Sequence, residues 1–345
     1  MSFENVTGPA VWSGASLWER ATTHYRLSDA ENQALRRRLA ASSSLPLNSL
    51  EKADFAHDDL TPIYAMARDE LEHGSGVFRL RGLSLDHLTE DEIARIFWGI
   101  ARQIGTPVSQ SAKGELIFRV QDQGYRMGQA AARGPNTRKG LSFHTDRCDV
   151  IAFCCVRQAI HGGENLLASA ATLHNEILAA RPDLLEVLYQ PFTWQRHNVD
   201  TGNHKPWCQL PVFAPHKGKF MANIMRVLIE RGHQRPDVPE LTGPQREALD
   251  YLETTARRPE IHTEFRQEPG DLLFVNNLIV FHSRREFEDA QNPARKRLLL
   301  RLWLATPTSR ELDPVYAGLY GTHRAGTTRG GMHPPGGRPA PEPCR

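Results

Sequence analysis

Apolar positions along the chain fall into two regimes. Over the first 75 residues and again near residue 90 they recur at helical spacing. Ser28-Asp29-Ala30-Glu31 has the form of a capping box ahead of an Ala- and Arg-rich segment, and a second helix is predicted over 62–72, stopped by Gly74. Thr89-Glu90-Asp91-Glu92 repeats the capping box, and Ile93, Phe97, Ile100 and Ile104 follow on one helical face as far as Gly105. From about residue 115 the pattern shortens to strand-length runs separated by Gly, Pro and Asn. Strands are predicted over 116–120, 141–146, 150–157, 165–168, 191–197, 261–266, 272–275, 279–282 and 297–305. Helices interrupt them over 171–189 and from Thr242 to about Ala256. No βαβ rhythm and no internal repeat is visible. The expectation is a mainly β chain with helices, an α+β fold whose core is a β-sandwich or jelly roll.

Within the 141–146 run, Phe143-His144-Thr145-Asp146 places an imidazole and a carboxylate two residues apart. On a strand, residues i and i+2 share a face, so His144 and Asp146 would project side by side while Thr145 turns away. One histidine and one carboxylate are two corners of a 2-His-1-carboxylate triad, the donor set suited to non-haem Fe(II). The best downstream histidine is His282, which closes two apolar runs joined at Asn276-Asn277. A histidine ending an apolar strand is costly to bury unless its ring nitrogens have partners, and a metal on one nitrogen supplies one. A second feature is Lys296-Arg297-Leu298-Leu299-Leu300-Arg301-Leu302-Trp303-Leu304. As a strand it would put Leu298, Leu300, Leu302 and Leu304 on one face and Arg297, Leu299, Arg301 and Trp303 on the other. Two guanidinium groups on such a face call for two anions, or for one anion and one acidic side chain.

Taken together, His144-Thr145-Asp146, His282 and the Arg297/Arg301 pair resemble the Fe(II)/2-oxoglutarate-dependent oxygenases of the taurine dioxygenase (TauD/TfdA) and clavaminate synthase type. The resemblance spans roughly residues 75–310 and includes Gly162-Gly163, the Gly270-Asp271 lead-in and the Asn277-to-His282 spacing. It implies a double-stranded β-helix core, with iron held by His144, Asp146 and His282. It implies that Arg297 grips the distal carboxylate of the co-substrate 2-oxoglutarate and that Arg301 contacts an anionic substrate. Asn165 stands where a co-substrate threonine is frequent in the family. The implied reaction consumes O2 and 2-oxoglutarate, releases succinate and CO2, and hydroxylates, desaturates or cyclises a small anionic molecule. Halogenation is not expected, because halogenating relatives lack the carboxylate that Asp146 supplies. Two other classes use the same residues: a zinc hydrolase with the same ligands, and a catalytically silent jelly-roll protein that binds a small acid.

Size and charge narrow the setting. The 345 residues divide by pattern into an N-terminal helical extension (1–75), a core domain with helical insertions (76–324) and a Gly/Pro-rich tail (325–345) with almost nothing apolar to bury, expected to be loop or disordered. A net charge of +2 without a Lys/Arg block gives no sign of a nucleic-acid partner. No signal segment or membrane-length apolar run is present, and the five cysteines lack CxxC spacing and read as reduced, packed thiols, so a cytoplasmic chain is expected, with a homo-oligomer left open. The 119–140 region, with Gln121, Tyr125, Arg126 and Arg138, reads as a glycine-rich entrance loop. His161, His174, His197, His204 and His216 read as ordinary polar histidines, and Arg284 and Arg285 as surface or supporting groups.

Overall fold

The computed structural model describes residues 3–111, 113–125, 134–196, 205–333 and 340–344. Arg126, His197 and His204 therefore lie outside the described residues.

Two sheets face each other. The larger has seven strands in the order His24–Arg26, Val77–Arg81, Leu272–Asn276, Val150–Arg157, Leu298–Ala305 and Thr106–Val108, with Ile117–Val120 also pairing to Leu298–Ala305. The first pair is parallel and the others are antiparallel. The smaller sheet is antiparallel and consists of His262–Phe265, Asn165–Ser169 and Val280–Arg284. Between them Ile151, Leu273, Val275 and Trp303 of the large sheet pack against Leu167 and Val280 of the small one. The two outer faces are covered by helices. Helices Asp29–Ala41, Thr61–His73 and Glu90–Ile104 bury their apolar stripes on the large sheet, against Leu298, Leu300, Leu302 and Leu304 among others. Helices Ala170–Ala180, Pro182–Leu188, Arg226–His233 and Gly243–Ala256 pack in one cluster with Leu166, Ala168 and Phe281 of the small sheet. Helix carries as much of the architecture as strand, so the chain is mixed α+β rather than mainly β.

The capping boxes at Ser28 and Thr89 form as expected, each with reciprocal bonds between the cap and its glutamate. The single helix expected over 171–189 is two. Arg181, which precedes Pro182, leaves the helical region (φ −144°, ψ 68°), as the proline ring requires of the residue before it. The Arg226–His233 helix and the Trp207–Leu210 strand lie in a polar stretch whose pattern predicted neither. Arg297 stands just before its strand, which begins at Leu298 and shifts register between Leu298 and Leu299. No helix among the described residues is long and apolar enough to cross a membrane.

The described part of the tail has no helix or strand, yet it is packed against the core. Arg329 is buried, donating to Asp149 at 2.7 Å and to the Arg310 carbonyl at 2.8 Å. Gly330 and Gly331, both with positive φ, let the backbone approach closely enough for the Gly331 N–H to reach the Arg147 carbonyl at 2.7 Å. Apart from Met332 and the partly buried Cys344, what the described tail buries is charge and backbone, which a search for apolar residues passes over. Removing one partner of such a pair leaves an uncompensated buried charge. Arg329→Met should cost about 3 kcal/mol in urea unfolding, whereas Arg324→Met on the exposed surface nearby should stay within about 0.5 kcal/mol.

Candidate metal centre

His144, Asp146 and His282 come together: one ligand atom from each lies within 4.8 Å of the others. The backbone arranges this by an unexpected route. The 141–146 segment is not a strand. Its one ladder contact is an isolated bridge in which His144 and His282 exchange N–H···O bonds of 2.9 and 3.0 Å. The neighbouring backbone groups are taken by other partners. The Thr145 N–H donates to the Ile224 carbonyl at 2.8 Å, and the Thr145 hydroxyl accepts from the Ile224 N–H at 3.0 Å. The Asp146 N–H donates to the Asn277 side-chain carbonyl at 3.1 Å. Asn277 also donates to the Cys148 sulfur at 3.0 Å, and its own N–H donates to the Asp149 carbonyl at 2.9 Å. A loop thus delivers the histidine and carboxylate, fixed by side chains of the loop joining the two sheets.

The ring orientations suit ligation. The His144 and His282 ring centroids are 4.3 Å apart. His144 uses Nδ1 toward the Ser142 carbonyl at 2.9 Å, leaving Nε2 for a ligand. His282 is buried, its Nε2 lies 3.9 Å from Asp146 Oδ2, and its Nδ1 has no hydrogen-bond partner among the described residues. Burial pushes the His282 pKa down to about 3, helped by neighbouring His144 and Arg301 and opposed by Asp146, so the ring is neutral near pH 7. For Asp146 burial alone would favour the protonated acid. Arg301, the two histidines and the Trp303 indole N–H outweigh it and hold the carboxyl below its usual range. Trp303 donates to Asp146 Oδ2 at 3.2 Å and Arg301 at 3.4 Å. Two imidazoles, that of His282 neutral, and one ionised carboxylate form a donor set that fits a divalent metal of the Fe(II) type.

The two arginines differ. Arg301 faces the acidic partner anticipated as one option from the sequence: besides Asp146 it donates to Gln110 at 2.7 Å and lies over the Phe118 and Trp303 rings. Arg297 is 1% exposed, lies over the Phe287 ring, and its Nε and one terminal nitrogen have no acceptor among the described residues. Burial pulls its pKa down to about 10. Asn165 shares the small-sheet face of His282 and donates to Gln267 at 3.3 Å. For Arg284, the supporting alternative of the sequence expectation holds rather than the surface one. It is buried, not at the surface, because alternation from His282 points it inward along the same strand. Arg285, by contrast, is exposed and pairs with Glu264. Gln110 was also missed, and its place between polar residues gave no signal.

Comparison with known proteins places this geometry among relatives. The sequence profile of the "Taurine catabolism dioxygenase TauD, TfdA family" matches residues 42–303. An "FR-33289 synthase" of Streptomyces rubellomurinus is 29% identical over 333 residues, covering 93% of this chain and 95% of that protein. A "Taurine hydroxylase-like protein SAT17" of Stachybotrys chartarum is 28% identical over 311 residues, covering 84% and 79%. Among solved structures, an asparagine oxygenase in complex with Fe(II), 2S,3S-3-hydroxyasparagine and succinate superposes with a TM-score of 0.64 at 17% identity, covering 82% of this chain and 94% of that one. The non-heme iron oxygenase OrfP in complex with Fe and alpha-ketoglutaric acid gives 0.62 at 16% identity, covering 84% and 96%. At these identities the structural likeness speaks for the fold.

The neutral state of His282 has a consequence for the metal-free protein. An unfolded histidine takes up a proton near its ordinary pKa of 6.5, whereas the folded one resists until about 3. The resulting stability is complete above pH 6.5 and is lost as the pH falls toward 3. His282→Gln should therefore flatten the stability-versus-pH curve of chelator-treated protein between pH 6 and 4, by at most one proton or ~1.4 kcal/mol per pH unit, in urea titrations.

Proposed function

We propose, for a chain that belongs to the taurine catabolism dioxygenase TauD, TfdA family, an Fe(II) centre built by His144, Asp146 and His282 and a 2-oxoglutarate site closed by Arg297. The protein is an Fe(II)/2-oxoglutarate-dependent dioxygenase, an oxidoreductase that acts with O2 on a small molecule. The two facing sheets support a double-stranded β-helix, or jelly-roll, core over 76–324, with 1–75 packed on it and 325–345 as a tail. The observation that carries the site assignment is the contrast between the ionised, buried Asp146 beside two histidines and the buried Arg297, whose Nε and one terminal nitrogen lack an acceptor among the described residues. The family match favours this reading over a silent acid-binding protein, and also over a zinc hydrolase, which would leave Arg297 without a partner.

Bound iron and 2-oxoglutarate supply the oxidising chemistry, with succinate and CO2 as products. The protein's residues do the rest. The two histidines and the Asp146 carboxylate would hold the metal through three donors, the set that suits non-haem Fe(II). Arg297 offers a guanidinium to the far carboxylate and so sets the direction of the co-substrate, a planar pairing for which arginine is the suited residue. Asn165, on the His282 face, lines the same site. Arg301 has two tasks in this reading. It holds Asp146 ionised, and it attracts a carboxylate, sulfonate or phosphonate of the substrate to the side of the metal. The intact carboxylate directs the outcome to hydroxylation, desaturation or cyclisation.

Anaerobic mixing of the purified protein with Fe(II) and 2-oxoglutarate should develop a visible metal-to-ligand charge-transfer band, and its absence would sink the proposal. Asp146→Ala should lose the band and all succinate release in a screen of amino acids, sulfonates, phosphonates and small aromatic acids. Arg297→Met removes one partner of a desolvated charge pair worth about 3 kcal/mol, so the KM for 2-oxoglutarate should rise about 100-fold while the protein still binds iron. An unchanged KM would move the co-substrate site elsewhere.

A further inference from the structure

The mechanism above leaves Arg284, a buried cation beside Arg297, unused. Arg284 follows His282 by two residues, is 6% exposed, and has an Nε with no acceptor among the described residues. Its guanidinium carbon lies 4.8 Å from the Phe287 ring centroid, and that of Arg297 lies 5.0 Å from the same centroid. Two buried guanidinium groups thus share one ring and repel each other. The other end of Arg284 reaches a different structure. A terminal nitrogen donates to the Thr137 carbonyl at 2.8 Å and to the Lys139 carbonyl at 2.6 Å. These residues belong to the segment that leads to the metal ligands. The same segment is stitched to the Arg284 strand by the Leu141 N–H on the Arg284 carbonyl at 3.0 Å, by the Ser283 hydroxyl on the Leu141 carbonyl at 2.7 Å, and by the Phe287 N–H on the Arg138 carbonyl at 3.1 Å. Beyond Leu141, the Ser142 carbonyl accepts from the His144 ring at 2.9 Å and so sets its orientation.

We infer that Arg284 is a positioning residue that couples occupancy of the Arg297 anion site to the order of the 137–144 segment and hence to the pose of His144. The inference rests on the reading of Arg297 as the anchor of 2-oxoglutarate. Without an anion, the two guanidinium groups are held together against their repulsion, and the Thr137 and Lys139 carbonyls, the Phe287 ring and the charges of Asp122 and Asp289 keep Arg284 in place. A carboxylate at Arg297 neutralises the local charge and removes the force that pushes Arg284 away. The bonds to Thr137 and Lys139 then tighten, and the segment carrying His144 is held more firmly when co-substrate is present than when it is absent. Arg284 need not touch co-substrate to do this. Such coupling makes the ligand geometry complete only in the enzyme that has taken up its co-substrate.

Amide hydrogen exchange of the Fe(II)-loaded, anaerobic enzyme reads the coupling directly, with the charge-transfer band as an independent measure of 2-oxoglutarate binding. In the wild type, saturating 2-oxoglutarate should slow exchange across 137–144 by about fivefold or more, the lower end of ordinary site-to-site coupling. Arg284→Met should still develop the band but lose most of that slowing. Arg284→Lys, which keeps the charge without the planar fork, carries the same comparison if the methionine variant does not fold. Slowing equal to the wild type in whichever variant folds, or no slowing in the wild type, overturns the inference. Arg297→Met separates the two claims: unchanged 2-oxoglutarate affinity there overturns the anchor assignment itself, whereas lost affinity there with unaltered coupling in the Arg284 variants overturns this inference alone.

Discussion

The candidate site depends on one narrow juncture, the pair of backbone bonds exchanged by His144 and His282. Two residues that exchange both N–H···O bonds stand directly opposite one another and project their side chains to the same face. That is why two imidazoles far apart in sequence have centroids 4.3 Å apart. The bridge is isolated, so no neighbouring ladder bonds hold it in register. Side chains supply what a ladder would. Thr145 is clasped to Ile224, and Asn277 accepts from Asp146 while donating to Cys148 and Asp149. Asn277 sits in the connection between the Leu272–Asn276 strand of one sheet and the Val280–Arg284 strand of the other. The loop that crosses between the sheets is therefore the same loop that fixes the carboxylate, and the fold and the metal site share their fastening.

Electrostatics separates the two arginines that the sequence presents as a pair. Arg301 finds its anion inside the protein, in Asp146, and is further engaged by Gln110 and two aromatic rings. This keeps the carboxylate charged in a place where burial favours the neutral acid. Arg297 finds a ring but, among the described residues, no acceptor for its Nε and one terminal nitrogen. Four positions, from just before the strand into it, thus separate a cation paired with a carboxylate inside the protein from one with two nitrogens lacking an acceptor among the described residues.

Much of this was legible in the sequence, and the exceptions have physical reasons. Capping boxes, the helical stripe through Ile93, Phe97, Ile100 and Ile104, and the Leu298-to-Leu304 alternation are local signals, and local hydrogen bonding and face burial realise them. The chemistry at His144, Asp146 and His282 was legible because charged or titratable residues in apolar runs demand partners. The backbone carrying His144 was not legible. Its hydrogen bonds go to Ile224, Asn277 and His282, and none of those partners is visible from residues 141–146 alone. Arg284 was obscured by its neighbour: in an Arg-Arg doublet one residue faces in and the other out, and only the strand register decides which. Arg329 was obscured for the opposite reason, since a tail poor in apolar residues can still be held by a buried ion pair and by glycine-enabled backbone contact.

The satisfied arginines elsewhere in the molecule give the unsatisfied ones their meaning. Arg310 is buried and pairs with Glu72 while donating to the Phe220 and Glu72 carbonyls. Arg329 is buried and pairs with Asp149 while donating to three carbonyls. The fold is therefore able to surround a buried guanidinium with acceptors, and at these two positions it does. At Arg297 it supplies an aromatic face and, among the described residues, leaves two nitrogens without acceptors, although an acid there would relieve the cost of burial. A local departure from a rule the same chain obeys elsewhere is where a functional demand is expected to override stability. On the proposed reading, the acceptor is an anion that arrives from outside, is small enough to enter a site closed to solvent, and presents oxygens in a plane. A carboxylate meets all three conditions, and its arrival would satisfy a cost that the folded chain otherwise carries unpaired.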